Sequence, residues 1–237
     1  MSLQNGLNEE RIAALVGVER TIGCVVGFGA TWLAAGHVEL TSPGDLVIGR
    51  LDGTTDPRLE AVRALLERAF PTRISANIVG ALWGKMLVNS VTVLGALGGL
   101  RLGELLAWNP HLCAHVVAEG VDVAVAEGVT LEDVFGIVPP ELVARRGEGW
   151  IDALTRAFAI VGQVFGQVKS VTWRDFELGR PTEIEAVTGE IVRRAEHRGV
   201  PAPLDAAAYR MLREIAAGTR RIERRNLEAL AATRGPL

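Results

Sequence analysis

Residues 77–93 read Asn77-Ile-Val-Gly80-Ala-Leu-Trp83-Gly84-Lys85-Met86-Leu-Val-Asn89-Ser-Val-Thr92-Val93, and this stretch decides the fold class. Ile78, Leu82 and Met86 recur at the helical period, so the segment predicts a helix that walls a core, over about 77–98. Lys85 and Asn89 stand four residues apart and share a face with Ala81 and Thr92. That face is otherwise apolar. A lysine there must pair or snorkel, and desolvation loosens the proton of its ammonium group. Lys85 is therefore a candidate general acid, the alternative being a stem that covers core surface with its charge in water.

The same period continues outward. Upstream, Leu59, Val62, Leu65 and Leu66 form a helical stripe; downstream, helices are expected at about 110–127, 151–167, 182–197 and 204–217. Pro139-Pro140, Gly179-Arg180-Pro181 and Gly199-Val200-Pro201 separate them. Thr182 and Glu185 have capping-box spacing, which places a helix start at Thr182. The turn formers Asp52-Gly-Thr-Thr-Asp56-Pro57 mark a change of regime. Before them, one short helix near residues 9–15, with Asn8 at its N-cap, precedes β-rich runs at 21–28, 37–41 and 46–48, read as a three-strand meander. The expected division is therefore 1–55 and 56–237, the second part wholly helical, with no internal repeat of 20–50 residues.

Composition sets outer bounds. Of 237 residues 49% are hydrophobic, enough for a substantial core. Twenty-five basic against 28 acidic residues give a net charge of -3, so no global field recruits nucleic acid or an anionic membrane. The apolar run Met86–Leu100 is interrupted by glycines, Asn89 and Ser90 and is shorter than the roughly 20 residues of a membrane span. The first residues lack the basic and apolar regions of a secretory signal. Cys24 and Cys113 alone build no disulfide framework, which suits a reducing cytoplasm.

Other charged clusters have plain structural readings beside functional ones. His111, His115 and Glu119 have helical spacing compatible with zinc, but nothing nearby completes a set, and no metal site is expected. Arg220, Arg221, Arg224 and Arg225 interleave with Glu223 as a solvated helix would. Five charges lie between Asp175 and Glu185, more than a helix start requires, which makes Glu183 and Asp175 candidates to face Lys85 across a cleft.

Four separated motifs, Gln4-Asn5-Gly6, Val26-Gly27-Phe28-Gly29-Ala30-Thr31, Trp83-Gly84-Lys85-Met-Leu-Val-Asn89 and Gly179-Arg180-Pro181-Thr182-Glu183-Ile184-Glu185, together resemble the ketopantoate reductase (2-dehydropantoate 2-reductase) family. The resemblance runs to about residue 217. It implies the end of a Rossmann nucleotide domain over 1–55, followed over 56–237 by an all-helical domain like the C-terminal domain of 6-phosphogluconate dehydrogenase. It implies cytoplasmic NADPH-dependent reduction of a 2-keto acid to a 2-hydroxy acid, as in pantothenate biosynthesis. Lys85 matches the catalytic lysine that protonates the carbonyl oxygen, Asn89 and Glu183 match substrate-binding residues, and Asn5 matches an asparagine near the nicotinamide.

Three departures follow. A second substrate-binding asparagine is replaced by Val93, and a serine before Asp175 by Val171, with Ser170 adjacent as a substitute. Both changes favour a bulkier or less polar keto acid. The Gly-x-Gly-x-x-Gly turn that cradles pyrophosphate would lie upstream of Gln4, and Gly27-Phe-Gly29 lacks its third glycine. The chain thus reads as a truncated reductase, inactive alone, or alternatively as a binding or assembly module of that descent. Open strand edges and an uncovered apolar surface point to a homodimer, built through residues 21–50 or 77–98.

Overall fold

A computed structural model describes residues 1–134, 138–144 and 147–233. In chain order the elements are α1 (Glu9–Val16), β1 (Ile22–Val26), β2 (Gly29–Ala34), β3 (His37–Ser42), β4 (Leu46–Arg50), α2 (Pro57–Leu66), β5 (Thr72–Ile74) and α3 (Ile78–Gly98). There follow α4 (Leu102–Trp108), α5 (Pro110–Ala126), α6 (Pro140–Val143), α7 (Trp150–Val164), α8 (Val171–Leu178), α9 (Thr188–Arg198), α10 (Pro203–Ala216) and α11 (Arg224–Ala232). The chain is helix-rich with a small sheet, as expected.

Two compact units emerge, one of Met1–Lys85 with Thr130–Val143, the other of Met86–Val129 with Ala144–Leu237. In the first, β1 runs antiparallel to β4, with Ile22 opposite Arg50 and Val26 opposite Leu46. The chain leaves this pairing at Gly27, whose amide donates to the Asp45 carbonyl at 2.9 Å, and makes the separate β2–β3 ribbon before returning. A Cβ at Gly44 would lie 2.4 Å from the Gly27 carbonyl oxygen, so this crossing requires glycine. The β-rich segment is therefore a long bent hairpin and not the expected meander: its outer strands pair with each other, and its inner pair stands apart.

Nor does the sheet end at the Asp52–Pro57 turn. Asp56 caps α2, its carboxylate accepting from the Leu59 amide at 2.8 Å with Pro57 in the first helical position. The helix then carries the chain back to β5, which lies parallel to β4. Cys24, Leu46, Ile48 and Leu59 form the core of this crossover, and Phe28 stacks on Phe70 with centroids 3.8 Å apart. The expectation that everything after residue 56 is helical thus fails at β5. A strand of three residues is too short to show a period of two.

In the second unit α5 packs against α7, α9 and α10, and α11 packs against α10. Gly120 of α5 faces Leu87, where a Cβ would come within 2.3 Å of the leucine Cδ2. The expected helices at 110–127, 151–167 and 204–217 are present within a few residues. The one expected from Thr182 starts instead at Thr188. Residues 183–187 make turns, with the Gly189 amide bonded to the Ile184 carbonyl at 2.8 Å and Val187 far from helical geometry, so Thr182 and Glu185 form no capping box. Burial of Ile184 and Val187 fixes that turn in place of the helix.

Similarly, Asn8 does not cap α1 with its side chain, whose amide donates to the Asn5 carbonyl at 2.8 Å. At 21 residues α3 is long and apolar enough to cross a bilayer, yet 78% of its most apolar window is buried inside the protein.

Candidate functional site

The helix that carries Lys85 begins at a dense polar cap. The Asn77 side-chain oxygen accepts from the Gly80 amide at 3.2 Å, and its nitrogen donates to the Thr130 carbonyl at 2.8 Å. Ser75 accepts from the Asn77 amide at 2.8 Å and donates to Glu132, which also binds Arg73 at 2.8 Å. The 130–132 segment lies directly on α3, since a Cβ at Gly80 would sit 2.1 Å from the Thr130 carbonyl and one at Gly84 3.1 Å from that of Glu132. The α3 start is thereby fixed one residue at a time.

Along α3 almost every side chain is buried. The partly open positions include Lys85, Val88 and Thr92, which trace one stripe, with Asn89 beside them and buried. The lysine and asparagine singled out from sequence therefore lie on the side of α3 that keeps some access to solvent, one turn apart. The Asn89 carbonyl accepts from the Thr92 hydroxyl at 2.9 Å.

The remaining expected residues fall as follows. Asn5 is half-buried in the first unit, next to Gly6, whose φ of 91° is open to glycine alone among common residues. Glu183 is half-buried in the second unit, and its carbonyl accepts from the Ala186 and Val187 amides at 3.0 and 3.2 Å. Ser170 is buried and caps α8, accepting from the Trp173 amide at 3.1 Å. Val93 belongs to the core of the second unit, while Val171 is exposed at the start of α8. Lys85 and Asn5 are in one unit, and Asn89, Ser170 and Glu183 in the other.

Other polar groups escaped the sequence reading. Tyr209 of α10 donates to Glu185 at 2.5 Å and packs its ring against Gly189, tying the 183–187 turn to α10. In the first unit Glu9 is buried beside Cys24; burial, only partly offset by the amides of Glu9 and Cys24, raises its carboxyl to about 7. Burial, reinforced by Glu9, pushes the Cys24 thiol to about 12 and leaves it inert as a nucleophile. Glu119, one of the three residues with zinc-compatible spacing, accepts instead from backbone amides of α10. No group of three or more metal-binding side chains occurs among the described residues.

A nicotinamide cofactor needs a pyrophosphate cradle, which a helix N-terminus after a strand usually supplies. Among the described residues of the first unit, the N-termini of the longer helices are already met by side chains: α1 opens with Glu9 and Glu10, α2 with the Asp56 carboxylate and α3 with the Asn77 side chain. Gly27 and Gly29 lead into β2 and not into a helix.

A small mixed sheet with a β-α-β crossover, followed by a helical unit reached through one long buried helix, defines the class of fold. Residues 77–216 match the family described as ketopantoate reductase PanE/ApbA C terminal, and residues 1–53 match ketopantoate reductase PanE/ApbA. The chain belongs to the ketopantoate reductase PanE/ApbA family. It is 30% identical over 219 residues to a 2-dehydropantoate 2-reductase of Pyrococcus horikoshii, covering 90% of this chain and 65% of that protein. With the corresponding Archaeoglobus fulgidus protein it shares 28% over 221 residues, covering 92% and 68%. The chain therefore spans about two thirds of the length of these relatives. Its fold resembles that of 2-dehydropantoate 2-reductase from Methylococcus capsulatus, with a TM-score of 0.75 at 23% identity over 92% of this chain and 66% of the other. A D-mandelate dehydrogenase solved with NADH gives 0.73 at 19% identity, covering 92% and 70%.

Proposed function

We propose that this chain carries the substrate-handling part of a cytoplasmic oxidoreductase that reduces a 2-keto acid to a 2-hydroxy acid. The observation that carries the reading is the partly open Lys85 on an otherwise largely buried helix, with Asn89 one turn on beside the same stripe. In this reading Lys85 donates a proton from its ammonium to the substrate carbonyl oxygen as that oxygen gains negative charge, and solvent reprotonates the amine. Asn89 and Glu183 orient the 2-keto acid. The cap uses Ser170 as an acceptor, which leaves its O–H to meet the substrate carboxylate. Val93 and Val171 replace polar contacts, so the preferred substrate is bulkier or less polar than 2-dehydropantoate. Hydride comes from a bound nicotinamide, NADPH by family resemblance, and Asn5 meets its nicotinamide end.

The nucleotide part of such an enzyme is represented here only by its sheet-bearing end, and the partner of the chain is a second copy. An alternative role as an assembly module draws support from the exposed Trp32, Val38 and Leu40 of the β2–β3 ribbon. A fusion separates these readings. By calorimetry the chain alone should show no NADPH binding. Joined to the glycine-rich N-terminal third of the P. horikoshii relative, it should bind NADPH and oxidise it with a 2-keto acid present. A folded fusion that binds NADPH yet reduces no member of a 2-keto acid panel would reject the enzyme reading.

A further inference from the structure

In the helical unit, α10 starts without a side-chain cap of its own, because Ala202 occupies the N-cap position. Its first-turn amides turn to α5 instead. The Leu204 amide donates to both Glu119 oxygens at 3.1 and 2.9 Å, and the Asp205 amide donates to one of them at 3.0 Å. Glu119 thus caps a helix distant in sequence, and its charge suits the positive end of the α10 dipole.

Asp205 complicates this arrangement. Asp205 has 0% exposure, and neither carboxyl oxygen has a hydrogen-bond partner among the described residues. An ionised carboxylate stripped of water and of donors is costly, and here a second carboxylate already occupies the same helix start. Glu119 works only as an acceptor toward the two amides and is stabilised by them in its charged form. Of the pair, Asp205 is the one with nothing to hold a charge.

We propose that Asp205 is a neutral carboxylic acid in the folded protein, and that its ionisation beside Glu119 loosens the α5–α10 junction, giving the helical unit a pH-sensitive clamp. Burial first, and then the Glu119 charge, push the Asp205 carboxyl well above the usual carboxylate range. Burial also raises Glu119, against the pull of the Asp205 and Leu204 amides.

The helices packed on α10 are α5, α9 and α11. From α5 come Glu119 and, one turn earlier, His115. On α9, Glu190 binds Arg193 and Arg194, and Arg194 also binds Glu127. Before and on α11, Arg220 is held by Glu214 and Asn226. Glu119 is the charged neighbour that, after burial, raises Asp205. An acid with a higher folded than unfolded pKa contributes its full stability below the unfolded value, about 3.9, and loses it as pH rises through the folded value.

The test uses the full chain with carboxyl-labelled aspartate. One Asp carboxyl group should titrate well above all the others, and that signal should vanish in Asp205→Asn. Between pH 4 and 9 the wild-type Tm should fall by roughly 3–6 °C relative to Asp205→Asn, with the difference smallest at the acid end. Glu119→Gln should move the Asp205 titration downward. If Asp205→Asn does not fold, the wild-type titration decides alone. All aspartate carboxyl groups titrating together in the usual carboxylate range, or a wild-type-to-Asn difference constant with pH, would overturn the proposal.

Discussion

Lys85 owes its standing to one local contrast: a cation within a helix whose neighbours are almost all buried. That contrast was legible in the sequence, because helical spacing alone put Lys85, Asn89 and Thr92 on one face. The buried acids were not legible. Glu9 stands in the first turn of α1, where an acid suits the helix dipole, and nothing in its neighbours' identities tells that it is buried beside Cys24. Burial raises its folded pKa to about 7, so stability due to the neutral form is complete below about pH 4.3, lost through the window up to 7, and flat above it. Thermal melts of Glu9→Gln should match wild type near pH 4 and exceed it at pH 8. Equal melting temperatures at both pH values would show that Glu9 is solvated.

At the scale of elements, long periodic helices such as α3, α5 and α10 were readable, whereas β5 and the true start of α9 were not. Local capping chemistry favoured Thr182, but tertiary burial of Ile184 and Val187 overrode it. The strand pairing is not legible, because a meander pairs sequence neighbours and the Gly27–Gly44 crossing that prevents this is a long-range contact. The seat of the 130–132 segment on α3 was equally invisible, though its signal lay in Gly80 and Gly84, two glycines one turn apart in a helix that tolerates them at a cost. Gly80→Ala places a methyl group 2.1 Å from the Thr130 oxygen. It should lower the unfolding free energy by about 1–3 kcal/mol, measured by urea titration. A neutral substitution would mean that the segment does not seat there.

For the whole molecule, the β2–β3 ribbon is the conspicuous exposed surface: Trp32 opposes Val38 and Ala30 opposes Leu40, and Trp32, Leu33, Val38 and Leu40 are each about half exposed or more. A two-stranded ribbon has little stability alone and exposes unpaired edges. Because α3 is largely buried within the chain, the ribbon is the better of the two expected homodimer surfaces. Light scattering at micromolar concentration should return a dimer, and Trp32→Asp with Val38→Lys should return a monomer of unchanged circular dichroism. A wild-type monomer would remove the ribbon as an interface.

The central claim is that Lys85 supplies the proton in a keto acid reduction. Its most direct measurement is the turnover of the NADPH-binding fusion with Lys85→Ala against its parent, using the 2-keto acid that the parent reduces. A loss of about 10² to 10⁴ in kcat, with the melting temperature and NADPH affinity retained, is the predicted result. An unchanged kcat would contradict the account and leave Lys85 as a snorkelling side chain on a structural helix.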